Sequence, residues 1–231
     1  MRHDTPTTRR GAASEQLENY LKNIYKIQEE EGRVSTTSLS HRLQISAASV
    51  SEMVRKLAEA GHVRHMPYRG VELTAAGRRE ALRIVRRHRL WELFLVEVLK
   101  FDWDEIDAEA ERLEHSMSER LEERIDRILG YPSRDPHGHA IPSVKGDLEH
   151  DDHRRLADLR KGITAVVRRV NDANPDILKY AKRLGILLGT SLRVKERIEF
   201  DGTLRVAVNG RDQFISDKLA QNVFVDVAGK P

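Results

Sequence analysis

Three side chains able to hold a cation stand together in Glu111-Arg112-Leu113-Glu114-His115. On a helix, positions i, i+3 and i+4 share one face, so Glu111, Glu114 and His115 would crowd a single patch. Carboxylates that close repel each other unless a proton or a cation intervenes. The plainer reading of the same pentapeptide is an ordinary i,i+4 surface pair of Glu111 with His115. His88 and Glu92 form a second i,i+4 pair, within and just after the basic run Arg86-Arg87-His88-Arg89. If the helices carrying these pairs run antiparallel, His88 comes to face Glu114 and His115. Oxygen and imidazole donors without thiolate suit Mn2+ or Fe2+, although Zn2+ or Cu2+ can bind such a set more tightly in vitro. The chain has no cysteine, which excludes disulfides, thiolate catalysis and thiolate zinc sites and fits a cytoplasmic protein.

These residues need elements to hold them. Residues 1–14 are polar and aperiodic and read as a flexible arm. From Glu15 the spacing turns helical, with Leu17, Tyr20, Leu21, Ile24 and Ile27 on one stripe. A short helix with Leu39 and Leu43 follows the cap candidates Ser35–Ser38. Ser46 then caps a third helix over 47–60, which buries Val50, Val54 and Leu57 and stops at Gly61. A hairpin comes next: Val63–Met66, a turn at Pro67-Tyr68-Arg69-Gly70, and Val71–Leu73. Three helices followed by a two-stranded wing make a winged helix-turn-helix over 15–74, a DNA-binding module. On its third helix, Ser46, Ala48, Ser49, Ser51, Glu52 and Arg55 face solvent near the N-terminus. Small hydroxyl residues let such a helix lie deep in a major groove; Arg55, Lys56 and the wing-tip Arg69 can reach phosphates.

Thr74 caps a further helix running to about Lys100, and Asp104–Leu129 reads as one long helix. Its apolar seam (Ile106, Ala110, Leu113, Met117, Leu121, Ile125, Ile128) needs a partner. Residues 75–142 therefore form a helical, dimerising domain. Gly130–Asp152 is rich in Pro, Gly and His and reads as connecting chain, with 143–157 as the linker proper; His139, His150 and His153 read as loop histidines. Beyond it the period drops to two. Ile163–Val170, Leu192–Phe200, Leu204–Val208 and Val223–Val227 are strands, Asn209-Gly210 is a hairpin turn, and only Pro175–Leu184 looks helical. Residues 158–231 make a small β-barrel. The fold class is mainly α with small β parts.

Charge is divided along the chain. Residues 1–100 hold 18 Lys/Arg against 12 Asp/Glu, and residues 101–160 hold 9 against 17. A basic head suits a polyanion, and an acidic middle suits carboxylate chemistry. No apolar run reaches the ~18 residues of a membrane span, and the N-terminus lacks a hydrophobic signal core. A carboxylate-histidine metalloenzyme is the alternative from another class, but there is neither a nucleophile–base pair nor a Glu-x-x-His repeat. A winged-helix regulator answering to a non-metal ligand is the other.

Glu18-Asn19-Tyr20-Leu21, Arg87-His88-Arg89-Leu90, Glu111–Met117 and Asp135-Pro136-His137-Gly138 together resemble the diphtheria toxin repressor family of metalloregulators, in order from about residue 15 to 228. The resemblance implies a winged helix, a helical dimerisation and metal-binding domain, and an SH3-like barrel. It implies a homodimer on palindromic double-stranded operator DNA, with no membrane and no small organic substrate, repressing metal-uptake genes when metal is replete. By position it makes Asn19, His88, Glu111, Glu114 and His115 the primary-metal ligands. Glu111, where the iron-sensing branch has cysteine, points to the manganese-sensing branch, so Mn2+ is the expected cofactor, with Fe2+ as the other candidate. Asn19 departs from the family's Asp or Met. Glu92, Asp135 and His137, with Asp172 of the barrel, fall on a second site found in some members.

Overall fold

The structure, a computed structural model, describes residues 6–66 and 70–227, with side chains from Ser14 on. The wing tip with Arg69 therefore lies outside the described residues. The described residues form two compact units: one from those up to 88 with 113–117 and 142–147, the other from 89–112, 118–141 and those from 148 on.

The first unit opens with α1 (Pro6–Glu31). Residues 6–14, expected to be arm, are helical: proline is pre-set for a first helical position, and Ala12-Ala13 are strong helix formers. α2 (Thr36–Leu43) carries a capping box, with Ser35 and Ser38 each bonding the other's backbone N–H. α3 (Ala47–Glu59) is capped by Ser46, whose hydroxyl accepts from Ser49 N–H, and it buries Val50, Val54 and Leu57. The wing pairs β1 (Val63–Met66) antiparallel with β2 (Gly70–Leu73). Gly70 lies at φ +92°, and a Cβ there would come within 2.0 Å of Val34 O, the atom that accepts from Val71 N–H. Only glycine lets the wing close on the segment before α2. The core adds Tyr20, Leu21, Ile24, Tyr25 and Ile27 from α1 to these residues. Thr74 caps α4 (Ala75–Glu97) by accepting from Gly77 N–H. The helix stops short of Lys100, which sits at φ +62°.

The single helix expected over 104–129 is two helices, α5 (Ile106–Leu113) and α6 (Glu119–Ile128), separated by a 3-10 turn at Glu114–Ser116. Ser118 restarts the chain, its hydroxyl accepting from Leu121 N–H. The seam keeps its four-residue spacing across the break, so hydrophobic periodicity cannot register it.

In the second unit the stretch expected to be linker is built. Asp135-Pro136-His137-Gly138 is a β-turn with Gly138 N–H donating to Asp135 O at 3.1 Å, Asp leading and Pro second as the turn prefers. Arg134 and Ala140 bridge across it. Six strands form one antiparallel sheet in the order β3-β8-β4-β5-β6-β7: β3 (Arg154–Arg155), β4 (Thr164–Val170), then α7 (Pro175–Arg183), β5 (Ser191–Arg197), β6 (Leu204–Val208), β7 (Arg211–Ile215), α8 (Asp217–Gln221) and β8 (Val223–Val227). Residues 154–157, expected in the linker, belong to this module: Leu156 and Ala157 lie in its core with Val167, Val194, Val206 and Val225. The short helix α8 was not expected either. Ser216 caps it, and five residues are too few to show a period.

Candidate metal centre

α1 turns Glu18, Asn19 and Lys22 to one side, because they are three and four residues apart. Within the first unit that side meets His88 of α4 and the turn carrying Glu114 and His115. His115 Nε2 lies 2.9 Å from Asn19 Oδ1 and 3.3 Å from Glu114 Oε1. Donor atoms about 3 Å apart are the spacing of neighbouring vertices around a cation held at ~2.1 Å. Glu114 Oε2 sits 2.7 Å from His88 Nδ1. The side chains of Glu114 and His88 are 0% and 2% exposed, so this is an interior polar cluster and not a surface ion pair.

His115 is held from behind. Its Nδ1 lies 2.8 Å from Glu18 Oε2, and Arg83 donates to Glu18 Oε1 at 2.8 Å. An imidazole that donates from Nδ1 to a carboxylate is fixed in orientation and offers Nε2 as a ligand. Burial works to raise the Glu18 pKa, but the hydrogen bond with His115 and the charge of Arg83 outweigh it and hold the carboxyl below its ordinary value. The same contest lowers Glu114, where His88 and then Lys22 overcome burial. Both carboxylates are thus charged and available at neutral pH. Amide oxygen, carboxylate and imidazole without thiolate fit Mn2+ or Fe2+.

Sequence spacing anticipated His88, Glu114 and His115 but missed Glu18, Lys22 and Arg83. Glu111 is half-buried at the end of α5, and Glu114 and His115 follow it on the 3-10 turn.

A second cluster lies within the other unit. Glu92 of α4, His137 of the turn and Asp172 after β4 bring ligand atoms to within 4.8 Å of one another. Asp135 Oδ1 accepts from the backbone N–H of His137 and of His139, and its Oδ2 lies 3.3 Å from His139 Nδ1 and 3.5 Å from Arg89 Nε. His137 Nε2 contacts Trp103 O at 2.7 Å, leaving Nδ1 toward Glu92 Oε1 at 3.6 Å. Asp135 Oδ2 and His137 Nδ1 are buried without an aligned hydrogen-bond partner among the described residues. Burial lowers the His137 pKa, but the charges of Glu92, Asp135 and Asp172 prevail and raise it. The cluster attracts positive charge, which is what a divalent cation supplies. His139, expected to be a plain loop histidine, also reaches to 3.8 Å from Asp172 Oδ1. His150 is an exposed loop residue, and His153 pairs with Asp226 at 2.7 Å.

On α3 the expected reading residues Ser46, Ala48, Ser49, Ser51, Glu52, Arg55 and Lys56 are all exposed. Ser51 Oγ donates to Ala47 O, Lys56 pairs with Glu52 at 2.7 Å, and Arg55 pairs with Glu59. Among the described residues no helix is long and apolar enough to cross a membrane.

Residues 13–71 match the description "Iron dependent repressor, N-terminal DNA binding domain", residues 74–143 match "Iron dependent repressor, metal binding and dimerisation domain", and residues 154–227 match "FeoA domain". The diphtheria toxin repressor of Corynebacterium efficiens is 32% identical over 218 residues, spanning 90% of this chain and 94% of that one. The iron-dependent repressor IdeR of Mycobacterium leprae is 34% identical over 176 residues, 72% of this chain and 76% of its own. A manganese-dependent transcriptional repressor solved in complex with manganese superposes with a TM-score of 0.86 at 45% identity, covering 91% of this chain and 99% of that chain. Matched from residue 13 to 227 in three consecutive parts, the chain belongs to the iron-dependent repressor family, a family of metal-dependent DNA-binding transcription regulators and not of enzymes.

Proposed function

We propose that this protein is a homodimeric repressor that binds palindromic operator DNA when Mn2+ fills the site built on Asn19, His88, Glu114 and His115. Glu111 joins them on its sequence position, and Fe2+ is the other physiological candidate. The observation that carries the reading is the approach of His115 Nε2 to both Asn19 Oδ1, at 2.9 Å, and the buried Glu114 Oε1, at 3.3 Å. Asn19 stands on the first helix of the DNA-reading module, and Glu114 and His115 stand on the turn that leads in the chain into α6. A bound cation supplies a tether between them. The exposed Leu121 and Ile128 of α6 are the surface we assign to the dimer contact. Fixing both modules in a dimer sets the distance between its two α3 helices, which must be about 34 Å to enter successive major grooves. A coupling of about 1–3 kcal/mol, roughly 5–150-fold in affinity, makes a working switch.

Glu92, Asp135, His137 and Asp172 are proposed as the ligands of a second ion. Ser46, Ala48, Ser49, Ser51 and Glu52 are assigned to the groove, with Arg55, Lys56 and Arg69 on phosphates. The proposed setting is the cytoplasm, with metal-uptake genes as targets. Operator binding measured at fixed salt with Mn2+ and with chelator tests the reading, since salt alone moves such affinities by orders of magnitude. Affinity that is the same in both would refute it.

A further inference from the structure

Lys22 is a buried charged residue at the primary site that is not among its proposed ligands. Its Nζ lies 2.5 Å from Glu114 Oε1, and the side chains are 1% and 0% exposed. That oxygen is the one that approaches His115 Nε2. An ammonium therefore already stands at the edge of the place where Asn19, Glu114 and His115 converge. We propose that Lys22 is a resident counter-cation of this site, which holds Glu114 in the metal-free protein, competes with the divalent ion for it, and sets the metal concentration at which the protein responds. This rests on the metal-site reading above.

Lys22 and Glu114 are 92 residues apart and interior, and a charge of either sign buried alone is strongly unfavourable. Without metal, Glu18 and Glu114 each have a cation of the protein's own: Arg83 for Glu18, Lys22 for Glu114. These two carboxylates are thus neutralised and held in place before any metal arrives. When a divalent ion comes, it meets a positive charge on the same oxygen in an interior where screening is weak. Either the ammonium gives up Glu114 or two cations share it, and both outcomes weaken metal binding. A residue that only filled space would have no such effect, because its methylenes could be replaced by another unbranched apolar chain.

The test uses the full-length protein and MnCl2 alone, with affinity read by competition against a fluorescent chelator and stability by thermal melting with and without Mn2+. Lys22→Met keeps the stem and removes the charge. It should melt lower than the wild type without metal, bind Mn2+ at least tenfold more tightly, and gain more from Mn2+ in melting temperature than the wild type gains. Lys22→Gln, which retains a donor for Glu114, should also bind more tightly and secures the result if the Met variant does not fold; Lys22→Arg, with the charge kept, should not. Normal wild-type binding with no tightening in the uncharged variants, or with equal tightening in Lys22→Arg, overturns this inference alone. Absence of Mn2+ binding by the wild type overturns the metal reading and this inference with it.

Discussion

Replacing Glu18 by Gln removes a charge that is not itself a proposed ligand of the metal, yet it should cost much of the metal's affinity. Glu18 Oε2 lies 2.8 Å from His115 Nδ1, and its other oxygen is held by Arg83. The variant keeps the shape and an amide oxygen but makes the bond to the imidazole neutral, and it lets the ring choose the wrong tautomer. A hydrogen bond to a charged group contributes about 1.5–3 kcal/mol against about 0.5–1.5 for a neutral one. The difference, of order 1–2 kcal/mol, corresponds to roughly a tenfold loss, at the lower end of the 10–100-fold commonly seen when the carboxylate behind a metal-bound histidine is removed. Chelator competition with Mn2+ at pH 7.5 measures it directly. Arg83 keeps Glu80 as a partner, so the fold should survive. Unchanged affinity in a folded Glu18→Gln protein would mean that His115 is not oriented through Nδ1, and the assignment of Nε2 as the ligand atom would fall.

His115→Ala should abolish the Mn2+ response of operator binding while leaving a soluble dimer; insoluble or monomeric protein would show that His115 serves the fold. Gly138→Ala should lower the melting temperature, because the residue lies at φ +91° and the new Cβ would come within 2.0 Å of Arg168 O. Forcing such a backbone costs about 1–3 kcal/mol before any clash is relieved, and an unchanged melting curve would show that the turn is not pinned there. Metal-free protein should lose stability in acid through Glu18 and Glu114. Their folded pKa values lie below the ordinary 4.5, so their contribution is complete above that value and disappears as the pH falls through the lowered ones. Melting temperatures from pH 6 to pH 3 check this, and the Glu18→Gln variant should show a shallower decline.

The parts of the site most legible in the sequence were those whose partners are near in the chain. Glu114 and His115 are adjacent, and His88 and Glu92 are one turn apart, so residue type and spacing were enough to single them out. Asn19 came only through the family resemblance. Glu18 and Lys22 escaped notice because they sit beside an apolar stripe, where charged residues ordinarily face water, and their partners are more than ninety residues away. The helix break at 114–118 was hidden because Leu113, Met117 and Leu121 hold a four-residue rhythm through it; Ser118, as a capping residue, was the available sign. The Pro-Gly-His stretch was mistaken for a linker on composition, although Asp-Pro-x-Gly is a turn sequence. Winged helix and strands were recoverable because their periods run long enough to read, which α8 and β3 do not.

The second cluster has a consequence in time. Glu92 and His137 have no exposed surface, and Asp135 has 3%. The turn between them is closed by Val170 N–H donating to His137 O and by Gly138 lying against Arg168. Asp172, at 15% exposure, is the cluster's side toward water, and on the other side an ion seated among these residues would have to wait for a local opening of that turn, which slows its departure. Such an ion would outlast a brief fall in free metal. The molecule would then carry a record of the recent metal supply in this cluster.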